Sequence, residues 1–115
     1  MSQRKRKTMP DDPTTDPVLT RFRTAVKDLY GDRLARVVLY GSRARGDHHP
    51  NSDYDIAVFL NDLSNRAIEM RRLADLETGI LFDTDSVINA LPFPAPAYRE
   101  QTGFMNEVRR DGLAL

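Results

Sequence analysis

VVLYGSRARGDHHPNSDYDIAV, residues 37–58 of this 115-residue chain, joins two apolar runs through a polar, turn-rich loop. The first run, Leu34 to Tyr40, is rich in residues that suit a pleated, half-buried surface, and it ends on Gly41. The second runs from about Asp53 to Leu60 and is broken by Asn61-Asp62. Both are expected to be strands. The loop from Ser42 to Ser52 has room for one helical turn but not for a crossover helix, so the two strands should pair antiparallel.

Alternation along the second strand puts Asp53 and Asp55 on one face, about 6.7 Å apart along the backbone. Ala57 and Phe59 continue that face, while Tyr54, Ile56, Val58 and Leu60 take the other. Two acids leading into an apolar strand repel one another unless a cation lies between them. Carboxylates that hold Mg2+ ions roughly 3.5–4 Å apart can clamp the attacking and leaving oxygens of a phosphoryl displacement. Gly41 lets the chain turn and approach a phosphate closely, and Ser42 adds a hydroxyl at the start of a helical turn. Arg43 and Arg45 could add charge-assisted bonds to a triphosphate. His48-His49 reads as solvated loop, because adjacent residues seldom converge on one ion. Tyr40 and Tyr54 read as packing residues of the sheet.

Outward from this stretch, residues 1–15 are expected to be a disordered basic tail. They carry Arg4-Lys5-Arg6-Lys7, Pro10 and Pro13 and almost nothing to bury. Residues 16–115 are expected to form a single domain. Asp16-Pro17 reads as an N-cap with proline at the first helical position, and Val18, Leu19, Phe22, Ala25, Val26, Leu29 and Tyr30 follow at helical spacing up to Gly31. After the second strand a helix is expected from about Ser64 to Gly79 or a little beyond, with Ala67, Met70, Leu73, Leu76 and Ile80 on its inner side. Its Arg71-Arg72 reads as solvated. It is long enough to be a crossover. A third strand is expected over Ser86 to Leu91, cut off by Pro92, Pro94 and Pro96. A last helix from about Thr102 to Asp111 buries Phe104, Met105 and Val108 and stops at Gly112. The fold class is therefore α/β of the α+β kind, a small mixed β-sheet flanked by helices.

Seventeen basic and seventeen acidic residues balance to zero formal charge, so no strong nucleic-acid binding is expected. The chain has no cysteine, which removes disulfides, thiol catalysis and zinc–thiolate sites. No apolar run approaches the roughly twenty residues needed to span a membrane. No apolar segment of a secretion signal follows the basic cluster, and a cytoplasmic location is expected.

An apolar strand, Gly41-Ser42, ten further residues and Asp53-x-Asp55 opening a second apolar strand together resemble the signature of the DNA polymerase β-like nucleotidyltransferases. Within that superfamily, the run Gly41 to Gly46 and the ending Arg109-Arg110-Asp111-Gly112 look most like the minimal nucleotidyltransferases. The resemblance implies that Gly41 and Ser42 grip the phosphates of a nucleoside triphosphate, ATP above all. It implies that Asp53 and Asp55 hold metal, with two Mg2+ ions as cofactors. Active members have a third acid on the next strand, which completes the metal site and can act as base. Asp85 is the nearest candidate for that catalytic and metal-holding role, and Asp83 is the alternative. If the register instead brings Asn89 opposite the acidic pair, the third carboxylate is missing.

Minimal nucleotidyltransferases of this kind pair with all-helical HEPN ribonucleases in toxin–antitoxin systems, and some transfer AMP to a tyrosine of that toxin. The resemblance thus implies an antitoxin enzyme acting on a HEPN partner, with an oligomer formed with that partner possible. A binding-only antitoxin with a vestigial site is the alternative. Transfer to a small molecule of the aminoglycoside type fits less well, because little chain follows the third strand to hold such an acceptor.

Overall fold

The computed structural model describes residues 15–115, so the tail expected over residues 1–15 lies, but for Thr15, outside the described residues. Helix α1 spans Pro17–Tyr30 and begins as its sequence dictates: Asp16 accepts from the Val18 amide at 2.8 Å, and Pro17 occupies the first turn. Gly31 caps its other end at φ 53, and one 3-10 turn, Gly31–Arg33, leads into strand β1, Leu34–Tyr40. A short helix α2, Ser42–Arg45, opens the polar loop, and strand β2, Tyr54–Leu60, returns antiparallel to β1. Helix α3, Arg66–Thr84, then crosses over to strand β3, Ile88–Pro94, which runs parallel to β2. A 3-10 turn, Ala95–Arg99, helix α4, Gly103–Asp111, and strand β4, Leu113–Ala114, complete the chain. The sheet order is β3-β2-β1-β4.

The alternation expected along β2 partitions the core. Tyr54, Ile56, Val58 and Leu60 face α1 and α3, packing with Phe22, Val26, Leu73 and Ile80. Ala57 and Phe59 face the other way, against Val38, Ala97, Met105 and Val108. Phe59 stacks on Phe93 at 5.6 Å between centroids and meets Tyr98 edge-on at 5.4 Å. The acids at 53 and 55 sit at the start of β2 on this second face, with Asp53 exposed and Asp55 half-buried.

Four expectations need correction. Strand β3 does not stop before Pro92 but continues through it to Pro94. It lies at the edge of the sheet, where a missing N–H costs no ladder bond. Its outer side is occupied as well: the Ala90 amide donates to Glu77 at 2.8 Å, and Arg66 donates to the Pro92 carbonyl. Such an edge resists pairing with another chain. Helix α3 starts after Asn65, whose side chain caps the Ile68 amide, and runs five residues past Gly79. Ala67 and Met70 do not face inward; they are exposed, and the buried residue of that turn is Glu69. Its carboxylate is held by Arg33 at 2.9 Å and Arg72 at 3.3 Å. Phe104, expected to be buried on α4, is partly exposed, meeting Tyr40 edge-on at 5.2 Å. Strand β4 was not expected, being two residues long, but it closes the free edge of β1 at Val38 and Leu39.

Candidate active site

The register of β1 on β2 sets Tyr40 opposite Asp55, so Gly41 begins where the acidic strand begins. Gly41 has φ 77 and ψ −157, a backbone conformation reserved for glycine. The turn lets α2 start at Ser42, with the Ala44 and Arg45 amides both bonded to the Gly41 carbonyl at 3.1 Å. A Cβ added to Gly41 would meet Oδ2 of Asp55 at 2.6 Å. Glycine is thus needed twice, for the turn and for room beside the carboxylate.

Asp55 is half-buried and Asp53 is exposed. Burial pushes the Asp55 carboxyl above its usual range. The neighbouring Asn89 amide opposes this, while the charges of Asp53 and Glu107 add to it and that of Arg45 subtracts. Tyr40, beside them, is raised to about 12 by burial and then by Asp55 and Glu107. The pair is therefore a like-charge site with one member partly desolvated, the condition that a bound cation relieves.

The third position belongs to an amide. Parallel pairing of β2 with β3 sets Asp55 beside Asn89, and Asn89 Nδ2 donates to Asp53 Oδ2 at 2.9 Å. Asp85, expected just before the third strand, caps the C-terminus of α3 at φ 62, three residues before β3 begins. Asp83 lies in the last turn of α3 and pairs with Arg21 at 2.6 Å. The helix takes the longer of its expected ends and the strand begins only at Ile88, so neither acid pairs opposite Asp55. Among the described residues, no cluster of three or more His, Cys, Asp or Glu side chains could hold a metal ion.

The two arginines behave differently from a simple phosphate clamp. Arg43 donates to the Ser52 carbonyl at 2.9 Å and the Pro50 carbonyl at 3.0 Å, and its guanidinium lies 3.9 Å over the Tyr54 ring. Tyr54 in turn donates to Oδ2 of Asp16, the residue that caps α1, at 2.8 Å. Burial and that carboxylate raise the Tyr54 hydroxyl to about 12. Arg43 therefore braces the loop that delivers Asp53, and the brace is anchored on α1. Arg45 is more exposed, bonded to Asp47 at 3.2 Å and 3.6 Å from Glu107. Glu107, on α4, is a carboxylate facing this site that the sequence reading did not single out. Helical spacing gave it no mark distinct from a solvated acid.

Comparison with known proteins agrees with this geometry. The model of the nucleotidyltransferase domain family matches residues 19–108. Two Methanocaldococcus jannaschii proteins, both named provisionally as protein adenylyltransferases, are similar to the chain. One is 24% identical over 85% of this chain and 95% of its own length, the other 33% identical over 66% and 70%. Among solved structures, a toxin–antitoxin with AMP-PNP shares the fold at a TM-score of 0.58 and 22% identity, over 81% of this chain and 68% of that one. A provisionally named nucleotidyltransferase from Sulfolobus solfataricus does so at 0.58 and 19%, over 84% and 75%. No helix among the described residues is long and apolar enough to cross a membrane. With the family match covering most of the chain and both strands of the acidic site, the chain belongs to the nucleotidyltransferase domain family.

Proposed function

We propose that this nucleotidyltransferase moves AMP from ATP to a hydroxyl of a partner protein, and that it does so as the antitoxin of a toxin–antitoxin pair. The observation that carries the reading is the close approach of Gly41 to Asp55, which sets the Gly41-Ser42 turn against an acidic pair on one strand face. The names of the two archaeal relatives support protein adenylylation, and the toxin–antitoxin solved with AMP-PNP supports the setting and the nucleotide. A HEPN ribonuclease as the partner and a tyrosine as the acceptor follow from the resemblance of the Gly41-to-Asp55 motif. A substrate drawn from the ATP pool fits a cytoplasmic setting.

The donor chemistry of the site fits a hard dication such as Mg2+, because Asp53 and Asp55 share a face and the charge of Asp53 helps raise the Asp55 carboxyl. These two side chains would hold it, and the ion would supply charge stabilisation for the triphosphate and its leaving pyrophosphate. Ser42 and the first peptide groups of α2 would orient the phosphates. Arg45, exposed and held only by surface ion pairs, can turn to the triphosphate; Arg43 is committed to the loop. Asn89 keeps Asp53 in place but cannot accept the acceptor's proton, so transfer should be slow.

That amide also favours a second reading, a nucleotide-binding antitoxin that neutralises its partner by contact alone. Incubating α-phosphate-labelled ATP and Mg2+ with a lysate of the source organism separates the two. A protease-sensitive labelled band, lost in Asp53→Ala/Asp55→Ala, is the expected result. Label in nuclease-sensitive material would refute protein adenylylation. Measurable Mg-ATP binding with no label at all would leave the binding-only reading.

A further inference from the structure

Helix α3 turns apolar residues to two sides. Leu73 and Ile80 are buried beneath the sheet, but Leu81 is 42% exposed and Phe82 is 84% exposed. Thr78, Leu81 and Phe82 recur at i, i+3 and i+4, so they share one helix face, and Asp85 caps the helix just beyond them. Val87, also 42% exposed, lies where the chain enters β3. Between helix and strand is a depression of about 190 Å3 lined by Glu77, Thr78, Leu81, Val87, Ile88 and Asn89. Since Asn89 is bonded to Asp53, this apolar ledge is continuous with the acidic site.

The same corner departs from what helix stability asks for. The last turn of α3 holds no basic residue, although cations favour the negative end of a helix. Instead Asp83 lies in that turn and Asp85 caps it. Arg21 answers Asp83. Asp85 adds a positive φ of 62, where glycine or asparagine is the unstrained choice. Local rules broken together beside a reactive site mark a surface shaped for a partner.

We propose that this ledge is the docking surface for the acceptor protein. Its contacting segment carries an apolar side chain for Leu81, Phe82 and Val87, flanked by Lys or Arg that meet Asp85, Glu77 and the helix end. The inference rests on the reading of the chain as a protein nucleotidyltransferase. Charge selects the occupant, since an acidic segment or a nucleic acid would meet the carboxylates and the negative helix end. A second copy would set the same acidic corner against itself. Docking is through side chains and not through an added strand, because Pro92, Pro94 and the Glu77–Ala90 bond block the β3 edge.

The test uses the full chain, wild type, Phe82→Ser and Asp85→Asn; asparagine tolerates positive φ, so the second variant removes charge alone. Labelling of the acceptor from α-phosphate-labelled ATP in the source lysate is measured beside the Mg-ATP dissociation constant. A benzophenone side chain at position 82 maps what touches the ledge. Phe82→Ser should cut labelling at least tenfold and Asp85→Asn severalfold, both binding Mg-ATP within twofold of wild type. The cross-link should fall on the labelled protein, at an apolar residue among basic ones. Labelling by Phe82→Ser at the wild-type rate overturns the proposal and leaves transfer intact. So does a cross-link to an acidic segment, to nucleic acid or to another copy, or no cross-link at all. A wild type that labels nothing, yet cross-links to a basic apolar segment, removes the transferase reading and keeps the docking surface.

Discussion

Gly41 leaves no room for a side chain beside Asp55: a Cβ there would lie 2.6 Å from Oδ2 of the carboxylate. With φ 77 at the same residue, Gly41→Ala meets both backbone strain and a steric conflict with the Asp55 carboxylate. Strain of this kind costs about 1–3 kcal/mol. The variant should melt several degrees lower and lose most of its affinity for Mg-ATP. Combining it with Asp55→Ala removes the steric part, so the double variant should be more stable than the sum of the singles by thermal melting. Strict additivity would show that the contact carries no energy.

Asn89 occupies the place where the resemblance asks for a carboxylate. Asn89→Asp should therefore raise the rate of AMP transfer, by roughly tenfold or more, since a placed general base contributes about 100–10,000-fold. The gain should appear only with Mg2+, because a third negative charge beside Asp53 and Asp55 destabilises the cation-free protein. Melting with EDTA and with Mg2+ checks that dependence: a larger Mg2+-induced shift in Asn89→Asp than in wild type is expected. A transfer rate that does not change would put the missing base elsewhere, with Glu107 the next carboxylate to replace.

Where sequence reading succeeded, the physics was local. Alternation fixed which face of β2 carries Asp53 and Asp55, and an eleven-residue loop decided the antiparallel pairing. Where it failed, the deciding contact was distant in sequence. Asp85 was the nearest acid to the third strand because it lies just before Ser86-Val87-Ile88, but the strand begins only at Ile88, and its pairing with β2 brings Asn89 beside Asp55, the alternative the sequence had left open. Glu69 reads as a surface residue until Arg33, 36 residues earlier, is brought to it. Arg43 looks like a phosphate ligand by position, and only the folded loop reveals that its donors are engaged at Pro50 and Ser52.

Glu69 predicts an acid-sensitive limb of stability. Burial alone would raise its carboxyl. The bond from Arg33, with the charges of Arg33 and Arg72, more than offsets that and holds it below the ordinary value of 4.5. A folded-state value below the unfolded one stabilises fully above the unfolded value and is lost as pH falls through the folded value. Stability should thus decline below about pH 4.5, and Glu69→Gln should flatten that decline while costing roughly 1–3 kcal/mol at pH 7. Denaturant melts at pH 3.5, 5 and 7 test this; a parallel loss at all three pH values would assign Glu69 a packing role only.

The chain Asp16–Tyr54–Arg43 predicts an effect on the site from a residue that never reaches it. Tyr54→Phe removes the 2.8 Å bond to Asp16 while keeping the ring under Arg43, and should cost roughly 1–3 kcal/mol, since the acceptor is charged. Arg43→Lys keeps the charge but cannot reach the Ser52 and Pro50 carbonyls with one planar fork or stack on Tyr54 as a guanidinium does. Its loop should loosen, and hydrogen exchange over residues 46–52 should rise. If Arg43 acted mainly by touching the triphosphate, lysine would weaken ATP binding with no change in loop protection. If it acts as the brace, loop protection falls first and the loss in transfer rate exceeds the loss in ATP affinity, because Asp53 is then delivered to the reaction from a less ordered segment.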